Sequence, residues 1–556
     1  MINYKKYIQE KLFNILNVEN ISVENPPKEN MGDFSVPCFN LRNEELKTPF
    51  EVSSYIKDNF VDDKGYFKEI TVMGCYINFF LNYNSFDTLV INEIINNSSY
   101  GSFNQGNNEK LLLEHTSINP NASPHIGRIR NSLIGDFLGN LFSFVGYVVE
   151  RHYFINDIGK QISYLLLAYE KYGNSKTTFK DMLELYIKIN AESKVDSSIE
   201  EKAFYYLNEL EHGNKEVREK FKHLTDICVE GQTSILNSID IHFDIFTHES
   251  DFVFDDSTKN ILDMLNKKNV LKEDDEGRKY ADLSGYDIPT KSPVLVLTRK
   301  DNTSLYPLRD IAYTLYKLKR NSNNNYIVLG EDQETYMKQI AAVIDILELK
   351  APVLISYSFV LLNGDKMATR DGKIVLLEDF LEIVKTKLKE EFNTRNILVN
   401  EENLSILANA CIKYTMYNVS INKCVNFNYK DAISFTGESG IYILYSIVRI
   451  NSILKSNKYD EGVSLKYINN IEHKIIKELY MFPYIIDSLL TTHEASSLTS
   501  YLYKLATLFS SYYENVPISS ETDEVLKASR ICLLISIKKV LTSALAVLGI
   551  KTVDKM

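Results

Sequence analysis

A chain of 556 residues is several times longer than one hydrophobic core requires, so the length predicts three or four packed units. Its hydrophobic fraction of 44% and charged fraction of 24% are close to globular averages, which argues against a disordered or membrane-embedded protein. The formal net charge of −12 means that any nucleic-acid surface must be a local basic patch on an acidic body.

The N-terminal segment and the cysteines indicate the compartment. Residues 1–16 carry charges at spacings that leave one apolar face, as in a folded helix and unlike a signal peptide. The apolar stretches 132–149 and 531–550 are interrupted by polar or charged residues, so no membrane span is expected. Six widely spaced cysteines without a C-x-x-C pair indicate neither zinc nor a disulfide framework. A cytoplasmic protein without a membrane partner is expected.

The first unit mixes helix and strand patterns. After the helix at 1–16, dense aromatic and β-branched residues over 70–83 predict strands. A seam rich in Asn, Gly and Ser at 96–108 has the composition of a domain junction. We therefore predict an α+β N-terminal domain over 1–108.

The middle of the chain alternates strand and helix patterns, which predicts an α/β, Rossmann-like catalytic domain over 109–396. A short apolar strand runs into a polar turn, and a helix pattern begins near Pro124. The two halves of this region are expected to share one parallel sheet. The predicted strands are 111–113, 294–298, 326–329 and 355–362, and the predicted later helices are 310–319 and 333–347.

Two helical regions complete the organisation. Residues 169–243 are highly charged and largely helical, which predicts an insertion with a solvated face. Residues 397–556 show apolar and aromatic residues at helical spacing and no strand signal, so they are expected to form a separate all-α bundle.

The segment 114–131 places polar side chains between a strand end and a helix start, where open sheets bind ligands. A helix N-terminus offers free N–H groups, Gly127 allows a base or ribose to approach, and His125 can donate to a phosphate. Alternatively, Ser123 and Pro124 merely start a helix, which is the better interpretation of an isolated match.

A second motif favours the nucleotide interpretation. Residues 365–373 form a Gly-flanked basic loop directly after the last predicted strand. Such a loop can clamp a triphosphate. The two motifs together predict a nucleotide site.

This pair of motifs resembles the signatures of class I aminoacyl-tRNA synthetases: H-I-G-R at 125–128 stands for H-I-G-H, and K-M-A-T-R at 366–370 for K-M-S-K-S. Within that class the chain is similar to arginyl-tRNA synthetases over nearly its whole length. The supporting matches are the E-x-x-S-x-N-P-N run from Glu114, N-D-I-G-K-Q at 156–161, Y-P-L-R-D at 306–310, G-E-D-Q at 330–333 and Y-I-L-Y at 442–445.

The resemblance implies ATP-dependent activation of L-arginine to an adenylate with release of pyrophosphate, followed by transfer to the 3′-terminal ribose of tRNA(Arg). Such chemistry depends on positioning and charge neutralisation, without a covalent enzyme intermediate. Mg²⁺ is expected with the substrate, and no dedicated protein ligands for it can be named. The implied catalytic residues are His125, Gly127, Arg128, Lys366 and Arg370. The implied ATP-binding residues are Pro124, His125, Gly127, Arg128, Lys366 and Met367.

Three positions depart from the family pattern. Arg128 stands where the signature has its second histidine, although arginine remains a phosphate-compatible donor. Thr369 stands at the second lysine, which leaves Lys366 and Arg370 to supply positive charge. Ile158 replaces the tryptophan of the N-D-W-G segment, which we interpret as a packing substitution.

Arginine selection requires a carboxylate that meets a planar guanidinium through two parallel hydrogen bonds. Asp310 is the candidate, and Tyr306, four residues earlier, is expected on the same helical face. Alternatively, Asp310 simply pairs with Arg309 at a helix start. The resemblance adds Glu249 as a second acid for the guanidinium. For the α-amino and carboxylate groups it implies Ser117, Asn119 and Gln333, with Glu114 as a further candidate.

The resemblance also implies tRNA contacts in the two outer domains. Tyr76 and Asn78 alternate along a strand and would meet a loop base at the tRNA elbow. Tyr442, Tyr445, Tyr513 and Met556 are implied at the anticodon loop, where aromatic rings suit unpaired bases. With 36 tyrosines in the chain, most must be ordinary core or surface residues.

Two other functions remain open at this point. A small-molecule nucleotidyltransferase could share the first motif, although the helical C-terminal third would then have no role. A catalytically inactive relative could survive as an RNA-binding module, since both signatures are altered. A monomeric enzyme is the leading expectation.

Overall fold

A computed structural model of the chain describes residues 3–290, 292–320, 323–362, 365–366, 375–457 and 465–556; of residues 29, 362, 365 and 366 it describes the backbone alone. The chain divides into two compact units. The first comprises Met1–Gly101, Arg449–Pro483 and Lys504–Leu541, and the second Ser102–Val448, Tyr484–Tyr503 and Thr542–Met556. The domain limits expected from the sequence (1–108, 109–396, 397–556) stay a prediction.

Helices outnumber strands along the described part of the chain. The helices are α1 (Tyr4–Leu16), α2 (Pro49–Asn59), α3 (Tyr83–Asn96), α4 (Ile126–Phe144), α5 (Lys160–Tyr172), α6 (Phe179–Ser193), α7 (Ser197–Glu211), α8 (Lys215–Asn237), α9 (Asp251–Phe254), α10 (Ser257–Lys267), α11 (Tyr306–Lys319), α12 (Glu334–Ile346), α13 (Leu377–Thr394), α14 (Glu401–Tyr417), α15 (Tyr429–Ala432), α16 (Gly440–Ser456), α17 (Asn470–Thr492), α18 (Ala495–Asn515) and α19 (Glu524–Val547). The strands are β1 (Phe34–Pro37), β2 (Phe67–Met73), β3 (Tyr76–Leu81), β4 (Lys110–Glu114), β5 (Val148–Ile155), β6 (Ile245–His248), β7 (Leu271–Glu273), β8 (Lys279–Asp282), β9 (Val294–Val296), β10 (Asn325–Gly330), β11 (Val353–Tyr357), β12 (Val360–Leu362), β13 (Asp365–Lys366) and β14 (Val425–Phe427). Glu29–Met31 and Glu331–Gln333 are short 3₁₀ segments.

In the first unit, β1, β3 and β2 form an antiparallel sheet in that order. Helix α2 begins at a capping box in which Thr48 and Glu51 each bond the other's backbone N–H, which satisfies two donors of the first turn. The side chains of Val36, Ile77 and Phe79 are fully buried in this layer. The helix and the strands expected in the first hundred residues are confirmed.

The centre of the second unit is a parallel five-stranded sheet in the order β11-β10-β4-β5-β6. Buried apolar residues such as Leu111, Leu112 and Leu113 form its middle strand, as expected for a sheet covered on both faces. The predicted α/β, Rossmann-like class is confirmed, and so are the strands β4, β10 and β11.

Two strands of this sheet, β5 and β6, were missed in the sequence. The reason is visible in β5, whose centre contains Glu150, Arg151 and His152 and so shows no continuous apolar run. The charge of Glu150 is compensated by Arg320. Arg320 donates two hydrogen bonds of 2.9 Å to the carboxylate of Glu150, and the ring of His152 lies 2.8 Å from the same group.

Other predicted strands belong to different sheets. The strand at 294–298 exists as β9, but it pairs with β8 in a separate antiparallel sheet. The stretch 355–362 divides into β11 and β12, and β12 pairs with β13 and β14. Strand β14 lies in the region expected to be purely helical. Three residues are too few for a periodic signal, which explains why β14 was not predicted.

Helical regions account for most of the remainder. The predicted insertion corresponds to α6, α7 and α8, which pack with α5 around buried residues such as Met182, Leu210 and Phe221. The C-terminal region is helical from α14 to α19 apart from β14, so its predicted class is confirmed. Over the described residues, no helix is both long and apolar enough to cross a bilayer.

Candidate active site

A cavity of about 930 Å³ opens at the carboxyl ends of the parallel strands in the second unit. This edge is where open parallel sheets bind ligands. The cavity brings together ten residues predicted from the sequence: Glu114, Ser117, Asn119, His125, Gly127, Arg128, Glu249, Tyr306, Asp310 and Gln333. They come from four separate stretches of the chain, so the fold joins what the sequence keeps apart.

The turn between β4 and α4 carries backbone strain. Thr116 has a φ of 60°, a left-handed conformation that is rare for a β-branched residue. Its N–H donates to Asn131 Oδ1 at 2.6 Å, and its hydroxyl donates to Ser132 Oγ at 2.7 Å. Asn131 also donates to the carbonyl of Val328 in β10, at 2.8 Å. These bonds hold the turn in one conformation between two strands and a helix.

The residues after this turn are held by hydrogen bonds to backbone and side-chain groups. Ser117 donates to the carbonyl of Phe154 at 3.3 Å. Asn156 donates to the Asn119 side chain at 3.4 Å, and Gln232 donates to the Asn119 carbonyl at 3.0 Å. Ser117 and Asn119 thus line the cavity from a rigid segment.

His125 occupies the N-cap position of α4 and is almost fully buried. Burial, together with the nearby charge of Arg128, lowers the pKa of His125 to about 4. The imidazole is therefore neutral near pH 7, and its buried Nδ1 has no hydrogen-bond partner among the described residues. Gly127 and the exposed Arg128 complete this wall of the cavity.

Residues 375–377, which follow the predicted basic loop in the sequence, lie beside this wall. Ile126 N–H donates to the carbonyl of Val375 at 3.2 Å, and Leu377 N–H donates to the carbonyl of Pro124 at 3.0 Å. Residues 375–377 therefore return to the start of α4. Of the predicted phosphate-binding residues, the Lys366 side chain lies outside the described residues, as do Met367, Thr369 and Arg370.

The opposite wall of the cavity is acidic. The hydroxyl of Tyr336 donates to Asp310 Oδ2. Arg309 does not pair with Asp310, because its Nε donates to Glu249 Oε1 at 2.5 Å and its Nη1 donates to Ser304. Burial and the charge of Glu249 raise the pKa of Asp310 to about 7. The alternative of an ordinary Asp310–Arg309 pair is thus wrong.

Two tyrosines shape the surroundings of Asp310. The Tyr306 ring is 57% exposed and lies 5.4 Å from the ring of Tyr336, measured between centroids. The hydroxyl that bonds Asp310 belongs to Tyr336, a residue that the sequence reasoning missed. Its only signal was its position three residues after Gln333 at the start of α12.

Glu114, a residue predicted for substrate binding, belongs to a buried ion pair. Lys317 donates to Glu114 Oε2, and the Lys317 side chain is only 1% exposed. Both charges are therefore compensated inside the protein. The sequence predicted Lys317 merely as part of helix α11.

The predicted substrate residue Gln333 is exposed at the cavity and donates to Asp332 at 3.2 Å.

Asp157 organises the turn that carries Glu249, a role that sequence reasoning did not assign. The Ser250 N–H donates to Asp157 Oδ1 at 2.8 Å, and the Ser250 hydroxyl donates to Oδ2 at 2.6 Å. His248 lies 3.0 Å from the same carboxylate, and Glu249 N–H donates to the carbonyl of Ile155 at 2.9 Å. The N-D-I-G segment thus fixes a predicted arginine-binding residue.

The two residues predicted for the tRNA elbow differ in exposure. Tyr76 is exposed at the start of β3, with its ring 5.5 Å from that of Phe39. Asn78 is only 2% exposed, and its Oδ1 accepts a hydrogen bond of 2.6 Å from Ser35. An RNA contact through Asn78 would require that bond to open. Both contacts stay predictions.

The residues predicted for the anticodon loop lie in both units. Within the second unit, Tyr442 and Tyr445 are half-buried on α16, and Met556 is half-buried near the C-terminus. Within the first unit, Tyr513 is exposed under the guanidinium of Arg449, whose Cζ is 4.8 Å from the ring centroid. Exposed aromatic rings suit stacking on bases, and a guanidinium over the ring adds positive charge, so the contact through Tyr513 stays a prediction.

Comparison with known families decides the relationship. Residues 90–430 match the family described as tRNA synthetases class I (R), catalytic domain, which is more than half of the chain. The chain belongs to the class I arginyl-tRNA synthetases. Residues 443–556 match the DALR anticodon binding domain, and residues 3–81 match the arginyl tRNA synthetase N terminal domain.

Individual relatives of this arginyl-tRNA synthetase family agree over the full length. The chain is 33% identical over 555 residues to an arginine–tRNA ligase of Methanocaldococcus jannaschii, covering 96% of each, and 30% identical to one of Halothermothrix orenii, covering all of each. The arginyl-tRNA synthetase structure of Thermus thermophilus superposes with a TM-score of 0.83 at 22% identity over all of both chains. That of Plasmodium falciparum has a TM-score of 0.80 at 20% identity, covering 100% of this chain and 98% of the other. These two structures show the shared fold.

Proposed function

We propose that this chain is an arginine–tRNA ligase that activates L-arginine with ATP and transfers it to the 3′-terminal ribose of tRNA(Arg). One observation carries the proposal. A single cavity joins a helix N-terminus suited to a nucleotide with a carboxylate, Asp310, that forms no ion pair with a lysine or arginine of the described residues. The cavity is thus equipped for ATP on one wall and for a cationic amino acid on the other.

The first step is activation of the amino acid. The arginine carboxylate attacks the α-phosphate of ATP, and pyrophosphate leaves. His125 is neutral and can donate an N–H to the phosphates, the N-terminal dipole of α4 favours negative charge, and Arg128 adds a cation at the cavity rim. In this proposal Lys366 and Arg370 neutralise the leaving pyrophosphate from the adjoining loop.

Arginine is bound on the acidic wall. Asp310 presents two carboxylate oxygens to the guanidinium, and Tyr306 lies at the rim beside it. Glu249 lines the same cavity, although its charge is shared with Arg309, so we assign it the smaller part of the recognition. Ser117, Asn119 and Gln333 are proposed to bind the α-amino and carboxylate groups of the substrate.

ATP use also implies a divalent cation. Among the described residues, no group of three or more His, Cys, Asp or Glu side chains is arranged to hold a metal ion. We propose that Mg²⁺ enters with the phosphates of ATP. We also propose that the enzyme is cytoplasmic and monomeric. Size-exclusion chromatography with light scattering tests the monomeric state directly.

The test of the proposed function is aminoacylation with each of the twenty amino acids and total tRNA. Arginine should be the amino acid that is charged. Charging of a different amino acid would contradict the specificity. Adenylyl transfer to a small molecule without RNA would favour a nucleotidyltransferase, and tRNA binding without adenylate formation would favour an inactive RNA-binding relative.

The role of the nucleotide wall is tested with His125→Ala, which removes the side-chain donor. Loss of one phosphate donor is expected to lower kcat by about 100-fold or more, as for other donors aimed at transition-state charge. His242→Ala is the control, because this histidine is exposed and bonds only Asn237 among the described residues, at 2.9 Å. Equal activities of the two variants would remove His125 from the mechanism.

A further inference from the structure

Asp310 requires a second residue to hold its carboxylate plane. A guanidinium forms two parallel hydrogen bonds only when both carboxylate oxygens lie in its own plane. The terminal torsion of an aspartate is intrinsically broad, so the backbone of α11 does not fix that plane. Arg309, the neighbouring cation, is already bound to Glu249 and Ser304. Among the described residues, Tyr336 is the side-chain donor to Asp310.

Tyr336 is itself well placed for this task. It lies in the first turn of α12, three residues after the predicted substrate residue Gln333, and it lines the cavity. Its ring packs against that of Tyr306, with centroids 5.4 Å apart. Burial and the charge of Asp310 raise the pKa of Tyr336, so its hydroxyl stays protonated and remains a donor throughout the neutral range.

The hydrogen-bond capacity of Asp310 leaves room for the substrate. An ionised carboxylate has about four acceptor positions on its two oxygens. The Tyr336 hydroxyl uses one of them, on Oδ2. Oδ1 and the second position of Oδ2 remain for two guanidinium N–H groups. The tyrosine therefore does not compete with a bound arginine.

From this geometry we infer that Tyr336 is a positioning residue for arginine recognition, which fixes the plane of the Asp310 carboxylate so that it meets the substrate guanidinium with both oxygens. The inference rests on the proposed function, since it concerns the same amino-acid site. It adds a residue that touches Asp310 from α12 and makes the spacing between α11 and α12 a determinant of arginine binding.

The test uses the full-length protein with Tyr336→Phe, which keeps the ring against Tyr306 and removes only the hydroxyl. Loss of a hydrogen bond to a charged group should raise the KM for arginine about tenfold and leave kcat nearly unchanged. The matched control is Tyr286→Phe, because Tyr286 donates to Asp345 at 2.7 Å in an equivalent Tyr–Asp bond outside the cavity lining. Thermal unfolding of both variants verifies folding.

A pH profile separates positioning from simple packing. The Tyr336 hydrogen bond lowers the pKa of Asp310 against the larger opposing effect of burial. Removing it should move the acidic inflection of kcat/KM for arginine to higher pH in Tyr336→Phe and not in Tyr286→Phe. An unchanged KM, or an increased KM with an unmoved inflection, overturns this inference alone. A wild-type protein that charges no arginine overturns the proposed function, and this inference with it.

Discussion

Replacing Asp310 with asparagine should stabilise the free protein while it removes arginine binding. Asparagine has nearly the same shape and can still accept the hydrogen bond from Tyr336, but it cannot ionise. In the folded protein the pKa of Asp310 is raised from 3.8 to about 7, mainly by burial and by the charge of Glu249. The substrate-free protein therefore carries a carboxylate that is unfavourable in its ionised form.

The sign and size of the effect follow from proton linkage. Between pH 4 and pH 7 the folded protein keeps a proton on Asp310 that the unfolded chain has lost, so the stability of the wild type falls as the pH rises through this window. Roughly three pH units at 1.36 kcal/mol each give an upper limit of about 4 kcal/mol. Because Asp310 keeps some exposure to water, which screens part of this effect, we expect about 2 kcal/mol at pH 8 and less at pH 5.

The assay compares thermal unfolding of the wild type and Asp310→Asn at pH 5 and pH 8 without substrate. The variant should unfold at a temperature higher by about 2 °C at pH 8, with a smaller difference at pH 5. Asp345→Asn, which alters an exposed Tyr–Asp bond, is the control and should show no such dependence on pH. If the unfolding temperature of Asp310→Asn exceeds that of the wild type by the same amount at both pH values, or does not exceed it at all, this reasoning is refuted.

Two further predictions concern the supports of the site. Gly135→Ala should destabilise the protein by about 1–3 kcal/mol in a urea titration, because the added Cβ would lie 2.1 Å from the buried ring of His115. Gly285→Ala is the control and should be nearly neutral, since no atom lies within 4 Å of its added Cβ. Lys317→Met should lower the free energy of unfolding by about 3–5 kcal/mol, because it leaves the Glu114 carboxylate buried and unpaired. Adding Glu114→Gln to this variant should recover much of the lost stability. Equal stability of the single and double variants would contradict the prediction.

The sequence predicted the order of elements well where a long apolar or periodic pattern exists. Strand β4, with its leucines, and helix α11 are examples. It failed for β5, because Glu150 and Arg151 interrupt the apolar pattern, and the charge of Glu150 is compensated by Arg320, a residue distant in the chain. Strand β14 failed for a different reason, since three residues carry no measurable period.

The candidate site was predictable to the extent that its residues lie in recognisable motifs. His125 and Asp310 are of this kind, and both line the cavity. The roles of Tyr336 and Lys317 were not predictable, because each depends on a partner in another element of the fold. Tyr336 on α12 meets Asp310 on α11, and Lys317 on α11 meets Glu114 at the end of β4. The left-handed Thr116 gave no sequence signal either, since threonine is an unusual choice for that conformation.

Whether Asp310 selects arginine for transfer to tRNA(Arg) is tested most directly by measuring arginine charging by the wild type and by Asp310→Asn in the same assay. We predict efficient charging by the wild type and a loss of about 100-fold or more in kcat/KM for the variant, because a charged, bidentate contact is removed. Charging of another amino acid by the wild type, or equal use of arginine by both proteins, would contradict this prediction.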